Sequence, residues 1–188
     1  MHIPDGFIDI PTSAAFAAIA AVGVAASLKG AKSSLDDKTA PLAGLTATFI
    51  FAVQMLNFPV AAGTSGHLLG AALATVLVGP YAATLALTIV LLLQALLFAD
   101  GGLSALGLSA FNMSIVAVWV SYAIFFTLKK ILPKTKSSTA AAAGIAALIS
   151  VPAAAASFVL QYAIGANATF SVSAVLAAMA AAARGGQQ

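Results

Sequence analysis

The stretch from Tyr81 to Ala99 reads YAATLALTIVLLLQALLFA, without one charged side chain. A hydrocarbon core of about 30 Å takes about 20 helical residues to cross, and a run this apolar predicts a membrane span. It is bounded by Gly79-Pro80 before it and by Asp100-Gly101-Gly102 after it, both strong breakers of a helix. Working outward, a short apolar helix is predicted from about Gly66 to Val78, and before it a polar break from Asn57-Phe58-Pro59 to Gly63-Thr64-Ser65-Gly66. A second helix is predicted from near Pro41 to about Asn57, and a first from Thr12 or Ser13, as cap, to about Leu28. Downstream, a loop or half-helix to Ser109 leads into a fifth helix ending at Lys129-Lys130. A sixth of about 25 residues carries Pro152, and a last, short one runs from Ser171 to Arg184. The expectation is an all-α integral membrane protein, a bundle of about seven transmembrane helices. It forms one domain, with residues 1–11 as an N-terminal loop and 12–184 as the bundle.

Composition agrees. The chain of 188 residues is 62% hydrophobic and 7% charged, against about 25% charged in soluble domains. Its net charge of +3 does not form a basic face, so no nucleic-acid partner is expected and the lipid bilayer is. The chain has no cysteine, which excludes disulfides, thiolate metal sites and thiol catalysis. The N-terminus lacks a basic leader region, and Asp5 and Asp9 precede the first apolar run, so no cleaved signal peptide is expected.

Threading the predicted helices alternately through a membrane sorts the charges. Lys29, Lys32, Lys38, Lys129, Lys130, Lys134, Lys136 and Arg184, all eight basic residues, fall on one side; Asp5, Asp9 and Asp100 fall on the other. The excess of lysine and arginine marks the cytoplasmic side, which places the N-terminus outside. His67 shares that outer face.

The N-terminus carries the candidate chemistry. Met1-His2 is a potential chelate: the Met1 amine, a deprotonated His2 amide and His2 Nδ1 would close a five- and a six-membered ring on one ion. Three coplanar nitrogens leave one equatorial position, and His67 is the only other histidine in the chain. A turn at Pro4-Asp5-Gly6 would bring the N-terminus back to the bundle. With Thr64 or Ser65 as cap, His67 would occupy the first turn of the third helix, whose positive end favours a neutral ring. The competing account is a lone histidine hydrogen-bonded between helices, with Gly66 and Gly70 as packing residues. A planar nitrogen set suits Ni(II), Cu(II) or low-spin Co(II) better than zinc, calcium or magnesium. Asp5, Asn57, Thr64 and Ser65 are candidates to support the ligands. Gln54, Gln94, Asn112 and Gln161 read as interhelical hydrogen-bonding groups, and Asp100-Gly101-Gly102 as a capped turn rather than a ligand. There is no phosphate-binding loop, so ATP-driven work would need another subunit. No nucleophile elbow, paired carboxylates or acid deep in a helix equips the chain for hydrolysis or proton-coupled exchange.

The opening MHIPDGF, the block from Gln54 to Gly70 (QMLNFPVAAGTSGHLLG) and LLLQALLFADGG from Leu91 to Gly102 resemble the CbiM/NikM family. These are metal-capturing membrane subunits of energy-coupling-factor transporters, a class of ABC transporter for cobalt or nickel. The resemblance covers residues 1 to about 130 and, more loosely, the rest. It implies an extracytoplasmic N-terminus in a prokaryotic plasma membrane and about seven spans. It also implies Co2+ or Ni2+, as transported substrate, held by nitrogens of Met1, His2 and His67. Implied partners are a small accessory membrane subunit, a transmembrane coupling subunit and a pair of ATPases, with tilting of the capture subunit as the delivery step. The chain itself would be no enzyme. One departure is visible: past Ala180 the family continues with a Val-His-Ala and Gly-Glu segment, whereas this chain ends Ala-Ala-Arg-Gly-Gly-Gln-Gln. The rival readings are a self-sufficient channel or secondary carrier, and a non-transporting scaffold.

Overall fold

A computed structural model describes residues 2–56, 58–61 and 64–166, with the backbone alone for 59–61, 64 and 65. The order is α1 (Ile10–Ser34), α2 (Thr39–Gln54), a two-stranded antiparallel hairpin β1 (Phe58–Ala61) and β2 (Thr64–Gly66), then α3 (Ala71–Phe98), α4 (Leu106–Ala110), a π-helical segment (Phe111–Val116), α5 (Ala117–Ile131) and α6 (Lys136–Gly165). Four stretches among the described residues are long and apolar enough to cross a membrane: Ile10–Ser34, Ala71–Phe98, Leu106–Ile131 and Lys136–Gly165. The helix Thr39–Gln54 is apolar but shorter. The expected last span, Ser171 to Arg184, lies outside the described residues. Large aliphatic side chains stand exposed on several helices, among them Val22, Leu45, Leu97 and Leu148, as lipid-facing helices require.

The element Ala71–Phe98 is two helical arms. An unbroken helix of 28 residues would be about 42 Å long at 1.5 Å per residue. Both of its ends nevertheless lead to His2: the His67 ring lies 5.1 Å away, centroid to centroid, and Asp100 Oδ2 is 3.8 Å from His2 Nε2. The chain therefore reverses at Gly79, whose φ of 77° and ψ of 169° are open essentially only to glycine, and Pro80 starts the returning arm. Thr75 and Tyr81, one on each arm, meet α5 at neighbouring residues: Thr75 Oγ1 lies 3.4 Å from the Val118 carbonyl, and the Tyr81 ring is edge-on to Trp119. The reading of a short third and a longer fourth helix, divided at Gly79-Pro80, matches this geometry.

Several predicted boundaries move. Helix α1 begins earlier because Asp9 caps it, accepting from the Thr12 amide at 2.7 Å, with Pro11 in the first turn where its missing N–H costs nothing. It also continues past Lys29 and Lys32 to Ser34, lysine being a good helix former. Helix α2 stops at Gln54, and α6 runs through Pro152 for 30 residues.

Helices α1 and α4–α5 run parallel: a side chain on Gly107 would strike Ala17, and one on Gly23 would strike Ile115. The α1–α2 and α5–α6 connections therefore lie at one end of the bundle, with Lys29, Lys32, Lys38, Lys129, Lys130, Lys134 and Lys136. Lys129 donates to Thr139 Oγ1 at 2.7 Å, and Lys130 sits over the Phe126 ring. The opposite end carries His2, Asp5, Asp9, His67 and Asp100. Arg184 lies outside the described residues.

Asn112 and Gln161 join helical segments as expected, whereas Gln54 reaches the linker before α3. Gln54 Nε2 donates to the Leu69 carbonyl at 2.7 Å, and Asn112 Nδ2 to Gln161 Oε1 at 2.8 Å, while Ser157 donates to Asn112 Oδ1. Gln94 Nε2 is 3.9 Å from Met55 Sδ.

Candidate metal centre

The N-terminal segment is not frayed; it is pinned to the loop that follows α3. Ile3 is 2% exposed and packs with Ile8, Ala105 and Leu108. Its amide donates to Ser109 Oγ at 3.2 Å, and its carbonyl accepts from the Gly102 amide at 2.8 Å. Pro4 to Phe7 form the predicted turn, closed by a 3.4 Å backbone bond and eased by Gly6 at φ 76°. Asp5 Oδ1 accepts from both the amide and the hydroxyl of Ser104, which lowers its pKa. Further on, the Asp9 amide donates to the Gly165 carbonyl at 2.8 Å, and Phe7 packs on Phe158 and Tyr162. The N-terminus is thus tied to two distant parts of the bundle.

Residues 99–102 shape the wall against residues 2–5. Ala99 takes the left-handed conformation at the end of α3, and the amides of Ala99 and Asp100 both return to the Gln94 carbonyl. This closure fixes where Asp100 points. Gly101, at φ 96°, lies so close that a Cβ there would be 3.2 Å from His2 Cβ. A Cβ on Gly102 would collide with the backbone and carboxylate of Asp5. Asp100-Gly101-Gly102 is a capped turn, as its sequence suggests, and it is also the cradle of residues 2–5.

His67 reaches the same place from the other side. The β1–β2 hairpin precedes it, and the linker 67–70 follows, held by the Gln54 bond to Leu69 and by Gly70 against Ile50. Helix α3 starts only at Ala71, with Gly70 at φ 80° as its cap. The expectation that Thr64 or Ser65 caps the helix, with His67 in its first turn, is corrected: both residues lie in β2, residues 67–70 are not helical, and the left-handed Gly70 delays the first turn to Ala71. His67 therefore owes nothing to a helix dipole.

The two imidazoles stand 5.1 Å apart, centroid to centroid, tilted by 42°. Burial pushes the His2 pKa down to about 4, the Asp100 carboxylate opposing that shift. Burial also lowers the His67 pKa, its bond to the Leu68 carbonyl opposing. Both rings are thus neutral near pH 7 and able to ligate. His67 Nδ1 lies 3.0 Å from the Leu68 carbonyl; a carbonyl only accepts, so Nδ1 carries the hydrogen and Nε2 the lone pair. Among the described residues, no three His, Asp or Glu side chains converge closely enough to hold a metal by themselves.

Of the residues singled out by sequence, His2 and His67 come together. Asp5 gives its carboxylate to Ser104 and not to the His2 ring. Met1 and Asn57, and the side chains of Thr64 and Ser65, lie outside the described residues. Asp100, Gly101, Ser104 and Ser109 were not among the predicted site residues. The available signal was that Asp100 falls on the same face as both histidines.

Residues 2–184 match a family profile described as CbiM, cobalt uptake substrate-specific transmembrane region. Over 131 residues, 70% of this chain and 60% of the relative, the chain is 44% identical to a putative metal transport protein of Haloquadratum walsbyi. It is also 44% identical over 133 residues to a putative fused nickel transport protein, NikMN, of Archaeoglobus fulgidus, covering 69% of this chain and 43% of that one. The chain thus spans about half the length of these curated relatives. A crystal structure of a truncated transition metal transporter superposes with a TM-score of 0.77 at 34% identity, over 86% of this chain and 73% of that one.

Proposed function

Because the chain belongs to the CbiM family of cobalt-uptake transmembrane regions, a family of transport proteins and not of enzymes, we propose that it captures Co2+ or Ni2+ outside the cell and delivers it inward with ATPase partners. The observation that carries this reading is the pairing of the two neutral imidazoles of His2 and His67, at the end of the bundle away from the lysines. Two histidines on elements 65 residues apart leave room for one ion between them, since metal–imidazole bonds are about 2.0–2.1 Å.

The donors are the Met1 amine, the His2 amide, His2 Nδ1 and His67 Nε2. With no third acid or histidine closing the site among the described residues, main-chain nitrogens complete it, and a planar field results that suits nickel or low-spin cobalt. The partners of this reading are a small accessory membrane subunit, a transmembrane coupling subunit and an ATPase pair. The basic end faces the cytoplasm of a prokaryotic cell, and tilting of the chain in the bilayer delivers the ion.

Uptake of radioactive nickel or cobalt into proteoliposomes tests the role. A capture subunit gives ATP-dependent uptake only when co-reconstituted with the coupling subunit and ATPases. Uptake by this chain alone, without ATP, would make it a self-sufficient carrier.

A further inference from the structure

The His2 side chain is 9% exposed, and its Nε2 has no hydrogen-bond partner among the described residues. That atom faces a small gap lined by His2, Leu91, Ala95, Asp100, Leu106 and Ser109, with no room for a water molecule. A buried ring nitrogen without a partner costs free energy, so the gap has to provide one. The acid in its lining is Asp100, with Oδ2 at 3.8 Å from Nε2. This is about 0.6 Å beyond the longest N–H···O bonds, a separation that a small side-chain rotation closes. Ser109 Oγ accepts from the Ile3 amide; its hydroxyl could only donate to Nε2, which would put the His2 hydrogen on Nδ1, the result that overturns the proposal below.

We propose that Asp100 is the positioning residue of the site: it accepts the Nε2 hydrogen of His2 and so leaves the lone pair on Nδ1, the nitrogen that closes a six-membered chelate ring with the His2 amide. The proposal rests on the metal reading above. It accounts for three features at once. The left-handed Ala99 and the double return to Gln94 aim the acid, Gly101 lets its loop lie against the ring, and a gap too tight for water leaves Asp100 without a competitor from solvent. The two histidines then hold opposite tautomers. His67 keeps its hydrogen on Nδ1 for the Leu68 carbonyl and His2 keeps its hydrogen on Nε2 for Asp100, each presenting its other nitrogen. A carboxylate behind a metal-binding imidazole also raises its basicity, and loss of such a partner typically costs roughly ten- to a hundredfold in metal affinity.

The test is 15N NMR of metal-free protein carrying labelled histidine, in detergent at one fixed pH of 7.5. The chain contains two histidines, and a His67→Ala control assigns the His2 signals. The expected result is His2 as the Nε2–H tautomer in the parent protein, mixed tautomers in Asp100→Ala, and the parent tautomer retained in Asp100→Asn, whose amide oxygen still accepts. Nickel affinity by calorimetry falls roughly ten- to a hundredfold in Asp100→Ala and is largely rescued in Asp100→Asn. A parent protein with the hydrogen on Nδ1 overturns the proposal without any variant having to fold, and so does an Asp100→Ala protein with the parent tautomer. A tautomer change with unaltered nickel affinity leaves Asp100 as the positioning residue and instead refutes His2 Nδ1 as a ligand.

Discussion

The rings of His2 and His67 lie 5.1 Å apart, though one belongs to the N-terminal segment and the other follows a β-hairpin in the middle of the chain. Nothing local brings them together. The contact depends on the reversal between α1 and α2, which returns the chain to the end where it started; the second reversal, at Gly79-Pro80, then sets the α3–α4 loop around residues 2–5.

If the two imidazoles share one ion, removing either removes most of the binding. His2→Ala and His67→Ala are each expected to lower nickel or cobalt affinity a hundredfold or more, since breaking a shared chelate costs at least about 2.8 kcal/mol at 1.4 kcal/mol per tenfold. The double variant should bind no worse than the weaker single one, because ligands of one ion are not additive. Calorimetry on detergent-solubilised protein measures all three. Independent, additive losses would mean two separate sites.

The lowered histidine pKa values make an acid prediction whose sign is fixed. Burial holds His2 at about 4 against an ordinary 6.5, so below pH 6.5 the unfolded chain takes up a proton that the folded one refuses. The resulting stability is present above pH 6.5 and is lost as pH falls toward 4. The apparent melting temperature of the metal-free protein should fall more steeply over this window than that of His2→Gln. Parallel curves would show that His2 is not held neutral by the fold.

Gly79 and Gly101 hold backbone conformations that other residues resist. Gly79→Ala should cost about 1–3 kcal/mol, read as a lower melting temperature, because the hairpin of α3 turns there. Gly101→Ala should cost about 1–2 kcal/mol and also weaken nickel binding, since its methyl group would press on His2. A Gly79→Ala protein as stable as the parent would mean that the arms do not reverse at this residue.

The orientation can be read by labelling. The chain lacks cysteine, so Leu103→Cys beside the histidines and Ser137→Cys at the lysine-rich end, both exposed, have no background. A membrane-impermeant maleimide on intact cells should label the Leu103→Cys protein and spare the Ser137→Cys protein. The reverse pattern would put the metal site in the cytoplasm.

Much of this architecture was legible in the residues. Apolar runs gave the helices, charges sorted the two ends, and Gly79-Pro80 divided the α3 arms, because each of these is a local or counting property. The site was only half legible. His2 and His67 were found because histidine is rare here and ligates metals. The hairpin Phe58–Ala61 with Thr64–Gly66 was missed because four- and three-residue strands leave too short a pattern to alternate. Asp100 was missed for a different reason. Its Asp-Gly-Gly setting is fully explained as a turn, and the role proposed for it depends on the N-terminus folding into the cradle, a contact between residues about a hundred apart. The same distance hid Ser104 as the partner of Asp5.

The central claim is that the terminal amine is itself a ligand, with the two histidines completing the set. One glycine added ahead of Met1, with its N-terminus verified by mass spectrometry, keeps both histidines and moves the amine. Titrating this variant and the parent with Ni(II) by calorimetry is the most direct test. The account predicts loss of affinity of about a hundredfold or more, at 1.4 kcal/mol per tenfold, with an unchanged melting temperature in the absence of metal. Parental affinity in the extended protein would contradict it.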